Sequence, residues 1–219
     1  MKQVLVYGDS NTWGLIPGTT ERYPWGIRWT SILQEKLNSE EVRVIEEGLC
    51  GRTTVFEDVY RENRNGLKTL PLILESNKGL DAAVIMLGTN DCKSHYSPNA
   101  YKIAKGLEQC LDRLLSDVPA ENILVVSPIH LGEDVWRPEF DPEFDKESVE
   151  VSKQLKEEYK KITTEKNIRF IAASDYVSPS SIDNEHMDEE GHGILAEKIY
   201  GQVMDLLTCG KNSRYNLTD

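Results

Sequence analysis

The stretch Lys2-Gln3-Val4-Leu5-Val6-Tyr7-Gly8-Asp9-Ser10-Asn11-Thr12-Trp13-Gly14 decides the fold. Val4 to Tyr7 form a short, unbroken apolar run that stops at Gly8-Asp9-Ser10. Such a run ending in turn residues is the pattern of a strand covered on both faces. Working outward, the same pattern recurs, and strands are expected at Gln3–Tyr7, Val42–Glu46, Ala82–Leu87, Ile123–Val126 and Arg169–Ile171.

Segments of helical period lie between these runs. Ile103, Leu107, Leu111 and Leu114 step by four, four and three residues, as do Val151, Leu155, Tyr159 and Ile162, and again Leu195, Ile199, Val203 and Leu206. Alternating strands and helices imply a mostly parallel sheet with helices on both faces. The expected architecture is an α/β fold: a flavodoxin-like, three-layer α/β/α sandwich around five strands. Residues 1–208 form one domain in this reading. Residues 133–147, rich in proline, aromatic and acidic residues, form a surface excursion, and 209–219 a polar, frayed tail.

Composition narrows the function. The 219 residues carry 25 Lys and Arg against 37 Asp and Glu, a formal charge of −12. That balance argues against a sequence-independent grip on nucleic acid and against docking on anionic lipid. A hydrophobic fraction of 39% suits a globular domain. The first apolar run is too short for an export signal or a membrane span. Cys50, Cys92, Cys110 and Cys209 are far apart and read as free thiols, so a reduced, cytoplasmic location is expected.

In a parallel sheet of this kind the working loops gather at the carboxyl ends of the strands. The first carries Ser10, whose hydroxyl and N–H are both presented at a strand-to-helix turn. The second carries Gly51 and the third Asn90. Ser10 N–H, Gly51 N–H and the Asn90 carboxamide together would make a three-donor oxyanion hole. Taken singly, each has a plainer use as a cap, a turn glycine or an Asx turn. After the fifth strand, Asp183-Asn184-Glu185-His186 offers a base and an orienting carboxylate from one turn.

His192 competes for the base, with Glu189 three residues before it. However, Asp188-Glu189-Glu190-Gly191 reads as a helix start, which removes His192 from the loop. His130 follows the fourth strand and is a candidate for lining the cleft. The 183–192 acids and histidines also admit a metal-assisted reading, although they lack a recognisable ligand spacing. A non-catalytic α/β module binding a small ligand is the other alternative; its phosphate-binding form would need a G-x-G-x-x-G loop, which is absent. No cofactor and no metal are expected.

Four segments carry a family resemblance: Val-Tyr-Gly-Asp-Ser-Asn-Thr-Trp-Gly at 6–14, Glu-Glu-Gly-Leu-Cys-Gly-Arg-Thr-Thr at 46–54, Ile-Met-Leu-Gly-Thr-Asn-Asp at 85–91 and Asp-Asn-Glu-His at 183–186. In order and placement they resemble the blocks of the GDSL/SGNH hydrolases, and the first three most resemble the arylesterase/acyltransferase branch. The resemblance covers residues 3–131 and 168–207. It implies the SGNH hydrolase fold and hydrolysis of small short-chain esters, with acyl transfer to alcohols as a companion activity. It also implies Ser10 as nucleophile, His186 as base, Asp183 as orienting acid, and Ser10, Gly51 and Asn90 as the oxyanion hole. Asn184 stands where the family usually has glycine; asparagine tolerates positive φ, so the turn survives.

The branch further implies that Trp13 walls a small acyl pocket; from their places in or near the loops, Trp29, Cys50, Cys92 and His130 are further pocket candidates. Trp29 and its neighbour Trp25 have a plainer role as core anchors. Cys50 and Cys92 each adjoin an expected oxyanion donor and are expected as small packing residues rather than nucleophiles. Arg52 is expected to brace its loop. By analogy with the branch, the chain is expected to form a homo-oligomer whose partner is otherwise only a small-molecule ester.

Overall fold

A computed structural model describes residues 1–209. Five strands form one parallel sheet in the order β2-β1-β3-β4-β5: β1 Lys2–Gly8, β2 Val42–Gly48, β3 Ala82–Met86, β4 Ile123–Ser127 and β5 Arg169–Ala172. The helices are α1 Ser10–Trp13, α2 Trp29–Leu37, α3 Gly66–Ser76, α4 Ala100–Leu114, α5 Lys146–Glu165 and α6 Glu189–Cys209. This is the expected three-layer sandwich; β1, β2, β4 and β5 run one or two residues past the expected ends, and β3 stops at Met86, one residue short of the expected Leu87. The expected tail lies outside the described residues apart from Cys209, the last residue of α6.

Alternation along each strand splits the core in two. Leu5, Tyr7, Ile85, Leu87 and Val125 face α3, α4 and α5, where they meet Leu70, Leu107 and Tyr159. Val4, Val6, Val84, Leu124 and Val126 face α2 and α6, where they meet Trp29, Leu33 and Ile199. Both faces are covered, which explains why the strands read as continuous apolar runs. Each fully buried aliphatic side chain contributes about 1.5–3 kcal/mol relative to exposure.

The helix ends are set by local chemistry. Asn99 caps α4 by accepting from Lys102 N–H at 2.9 Å. At α5, Asp145 accepts from Ser148 N–H at 2.8 Å while Ser148 Oγ accepts from Asp145 N–H at 3.0 Å, a reciprocal capping box. At α6, Asp188 accepts from Gly191 N–H at 2.8 Å, and His192 sits in the first turn, as the acidic start of that helix suggests.

The 133–147 excursion is only partly a surface feature. Val135 and Phe144 are buried in the α3/α4/α5 core, while Glu133, Glu139, Asp145 and Glu147 stay exposed. Two apolar anchors therefore pin the segment down. Its acids at 141 and 143 turn back toward the loops at the sheet's carboxyl edge. Among the described residues, no helix is long and apolar enough to cross a membrane.

Candidate active site

β1 and β3 lie side by side, and the chain leaves them towards opposite faces, so their carboxyl ends open a crevice. Ser10 begins the one-turn helix α1 at that edge. The approach is tight: a Cβ on Gly8 would stand 2.0 Å from Thr12 Oγ1 and 2.8 Å from the Met86 carbonyl. Asp9 caps the turn by accepting from Asn11 N–H at 3.0 Å. Burial pushes the Asp9 carboxyl up to about 6.

Asn11 ties this turn to the loop after β5. Its Oδ1 accepts from Met187 N–H at 3.0 Å and its Nδ2 donates to the Glu185 carbonyl at 3.3 Å. The loop is thereby held with His186 Nε2 2.9 Å from Ser10 Oγ. On the other side of the ring, His186 Nδ1 is 2.8 Å from Asp183 Oδ2. Asp183 is itself fixed. Its Oδ1 accepts from Glu185 N–H at 3.0 Å and His186 N–H at 2.9 Å, and its Oδ2 also accepts from Gly18 N–H at 2.9 Å. Asn184 adopts φ of +61°, the left-handed turn that its side chain tolerates.

With an acceptor oxygen at Nδ1, that nitrogen carries the proton and Nε2 is left to accept from the serine hydroxyl. Burial pulls the His186 pKa down, but the charges of Glu185 and Asp183 outweigh it and raise the pKa to about 9. Burial alone would push the Asp183 carboxyl up; its hydrogen bond with His186 and the two backbone N–H donors hold it below its ordinary value.

The second and third loops are stitched together beneath this pair. Thr54 N–H lies 2.9 and 3.0 Å from the two Asp91 oxygens, and burial pushes the Asp91 carboxyl up to about 7. The Arg52 guanidinium donates to the Gly8 carbonyl at 2.8 Å and to the Glu47 carbonyl, and lies 4.1 Å from the Tyr7 ring centroid. It is a brace, with no contact to the cleft. Gly51 takes φ of +82°, where a side chain would be strained and a Cβ would meet the Arg61 guanidinium at 2.7 Å. Asn90 Nδ2 donates one hydrogen to the Arg52 carbonyl at 3.1 Å, which fixes the amide and leaves its second hydrogen free. Among the described residues, the N–H groups of Ser10 and Gly51 have no acceptor.

Ser10, Gly51, Asn90 and His186 line one small open cleft of about 160 Å³. Of the further pocket candidates, Cys50 lines it and the others do not. Trp29 is wholly buried in the α2/α6 core, where its indole N–H donates to the Asn11 carbonyl at 3.1 Å; it packs rather than contacts a ligand. Trp13 lies beneath the Arg22 guanidinium, 5.4 Å from its ring centroid. Cys92 is buried, with its thiol 3.4 Å from the Gly88 carbonyl. His130 is half-buried towards α5, where burial and the charges of Lys153 and Lys156 lower its pKa. These four sit outside the cleft because their elements turn them into the core or away from the sheet edge.

Burial and the Asp9 charge push the Cys50 thiol up to about 11, so it stays protonated and poorly nucleophilic. His192 is fully buried, its Nδ1 accepts from Trp29 N–H at 3.3 Å, and burial lowers its pKa to about 4. Among the described residues, no group of three or more His, Cys, Asp and Glu side chains is placed to hold a metal ion. Two acids of the 183–192 segment are engaged elsewhere, Asp183 on the imidazole and Asp188 on the helix start.

Several lining residues escaped the sequence reading: Leu15, Arg61, Lys93, Asp141, Glu143 and Glu185. Lys93 is buried and paired with Glu143, with Asp141 Oδ2 at 3.9 Å. Glu185 lies directly before His186 and was visible only as a spacer in the Asp-x-x-His pattern.

The chain matches the model of the GDSL-like lipase/acylhydrolase family over residues 6–194. Among solved structures it is similar to a carbohydrate acetylesterase from Sinorhizobium meliloti at 36% identity and a TM-score of 0.85, covering 94% of this chain and 100% of that one. It is similar to an aryl esterase from M. smegmatis at 31% identity and a TM-score of 0.85, with the same coverage of 94% and 100%. A lipase/acylhydrolase from Enterococcus faecalis, at 19% identity and a TM-score of 0.65 over 93% of this chain and 95% of that one, shares the fold. No curated protein matches the sequence.

Proposed function

Because the chain belongs to the GDSL-like lipase/acylhydrolase family and is a carboxylic ester hydrolase, we propose that it cleaves small acetyl-type esters through an acyl intermediate on Ser10. The observation that carries this reading is the hydrogen-bonded series Ser10 Oγ, His186 and Asp183, at 2.9 and 2.8 Å, opening on unengaged N–H donors.

In this mechanism Ser10 Oγ attacks the ester carbonyl carbon while His186 Nε2 takes its proton. Negative charge develops on the carbonyl oxygen, where the N–H groups of Ser10 and Gly51 and the second N–H of Asn90 receive it. Each such donor is worth about 2.7–4 kcal/mol of transition-state stabilisation. Asp183 holds the ring in place and stabilises the imidazolium. The C–O bond to the alcohol then breaks, and Nε2–H protonates the departing oxygen. Water, deprotonated by His186, attacks the acyl carbon; collapse releases the carboxylic acid and returns the proton to Ser10. An alcohol entering in place of water would carry the acyl group away as a new ester.

The small cleft supports a short acyl group, since a long chain would have to leave it and lie along a polar rim of Arg61, Lys93 and Glu143. The names of two similar proteins, a carbohydrate acetylesterase and an aryl esterase, support the same substrate class. A series of 4-nitrophenyl esters from acetate to octanoate tests it. Acetate should give the highest kcat/KM, and Ser10→Ala should abolish turnover of every member. Equal rates on acetate and octanoate would overturn the short-chain claim.

A further inference from the structure

One acid in the cleft stands outside the proposed triad and acts on it only by raising the His186 pKa. Glu185 is buried, its side chain only 9% exposed, yet it lines the same cleft as Ser10 and His186. Its backbone is pinned on both sides, by the N–H bond to Asp183 and by the bond from Asn11 to its carbonyl. The backbone is thereby fixed, and the side chain places Oε1 3.7 Å from His186 Nε2. Among the described residues, no donor makes a hydrogen bond to this carboxylate. The nearby cations are taken: Lys93 by Glu143, and Arg61 by Asp58 at 2.8 Å. A buried carboxylate with no donor is costly unless a ligand supplies one.

The location indicates which donor. In the step that expels the alcohol, the departing oxygen takes its proton from Nε2 and must lie within hydrogen-bond reach of it. A hydroxyl on the adjacent carbon of that alcohol then comes within reach of the carboxylate beside Nε2. We propose that Glu185 selects esters whose alcohol carries a free hydroxyl next to the esterified one, that is, monoesters of 1,2-diols, by accepting a hydrogen bond from that hydroxyl.

This inference rests on the esterase reading above and names its alcohol side. Glu185 is a specificity residue that meets the part of the substrate departing from the acyl group. Alcohols without the neighbouring hydroxyl leave the buried carboxylate without a hydrogen-bond donor, so they are discriminated against. A site that hydrogen-bonds a substrate hydroxyl through a charged group favours it by about tenfold or more over the blocked analogue.

The test compares 2-hydroxyethyl acetate with 2-methoxyethyl acetate, following acetate release by titration at one fixed pH. The full-length wild type, Glu185→Gln and Glu185→Ala are each assayed for kcat/KM on both esters. The wild type should prefer the hydroxyl ester by about tenfold or more; the preference should weaken in Glu185→Gln, which keeps a neutral acceptor, and fall to about unity in Glu185→Ala. A general loss of activity, from altered folding or an altered histidine pKa, lowers both rates together and leaves the ratio unchanged. A wild-type ratio near one, or a ratio that survives both substitutions, overturns the inference. Hydrolysis of 4-nitrophenyl acetate by the wild type separates the two claims. If that ester is cleaved and the ratio is absent, the Glu185 claim alone fails; if none of the three esters is cleaved, the esterase reading fails and takes the Glu185 claim with it.

Discussion

Replacing Asp183 by asparagine tests the orientation of the base, and the outcome follows from the four donors around that carboxylate. Oδ1 accepts two backbone N–H groups, from Glu185 and His186, at 3.0 and 2.9 Å. An asparagine must put its carbonyl oxygen there, because its NH2 would otherwise face two donors. The NH2 is then forced onto the Oδ2 position, opposite His186 Nδ1 and Gly18 N–H, now 2.8 and 2.9 Å away. Nδ1 must accept from it, so the ring proton moves to Nε2 and Ser10 loses its base. The expected loss in kcat is about 10⁴-fold, the size seen when a triad acid becomes its amide. At 1.36 kcal/mol per factor of ten, that is about 5 kcal/mol of transition-state stabilisation. The opposed Gly18 N–H is exposed and can turn to water, so the unfolding temperature should change little. The assay is steady-state hydrolysis of 4-nitrophenyl acetate beside thermal unfolding of the same samples. A folded Asp183→Asn variant keeping more than about a tenth of wild-type kcat would refute the reasoning.

Other predictions follow from the same contacts. His186 must be neutral to take the serine proton and its pKa stands at about 9, so kcat/KM should climb with pH up to about 9; a plateau already reached near the ordinary histidine value would contradict the raised pKa. Because Glu185 contributes to that elevation, Glu185→Gln should move the acidic limb of the profile to lower pH. Asn90→Ala should lower kcat by about 10²–10³-fold, since it removes one oxyanion donor, and destabilise the fold by about 1–3 kcal/mol, since it leaves the buried Arg52 carbonyl without its partner. His192→Ala should destabilise the fold by about 2–4 kcal/mol while kcat stays within about tenfold of wild type, measured by denaturant melts and ester hydrolysis. An effect on kcat as severe as that of His186→Ala would reverse the assignment of the base.

The sheet was legible because each strand is short and either apolar on both sides, as β1, β3 and β4 are, or bounded by turn and polar residues, as β2 and β5 are. α4, α5 and α6 were legible because their buried residues recur at three and four. α2 and α3 were not. The α2 start at Arg28 has no side-chain cap and its buried face includes Thr30 and Ser31 beside Trp29 and Leu33. α3 carries Pro71 within it, a residue that speaks against a helix in sequence. At the site, residues sharing one loop were readable, since Asp183 and His186 need only a local turn to meet. The contacts that depend on distant segments were hidden. Nothing in the sequence pattern ties Asp141 and Glu143 to Lys93, or brings Asn11 to Glu185 and Met187. The tryptophans misled for a related reason: Trp29 stands near Ser10 in sequence, but α2 turns it into the opposite core layer.

The central claim is that Ser10 Oγ is the atom that carries the acyl group. An active-site phosphonate bearing a 4-nitrophenol leaving group forms a stable bond to an activated serine, and its position can be read by peptide mass spectrometry. The account predicts one phosphonyl group per chain, on Ser10, with complete loss of ester hydrolysis and no labelling of the Ser10→Ala protein. Labelling at Cys50 or elsewhere with Ser10 unmodified, or a Ser10→Ala protein that still turns over 4-nitrophenyl acetate, would contradict it.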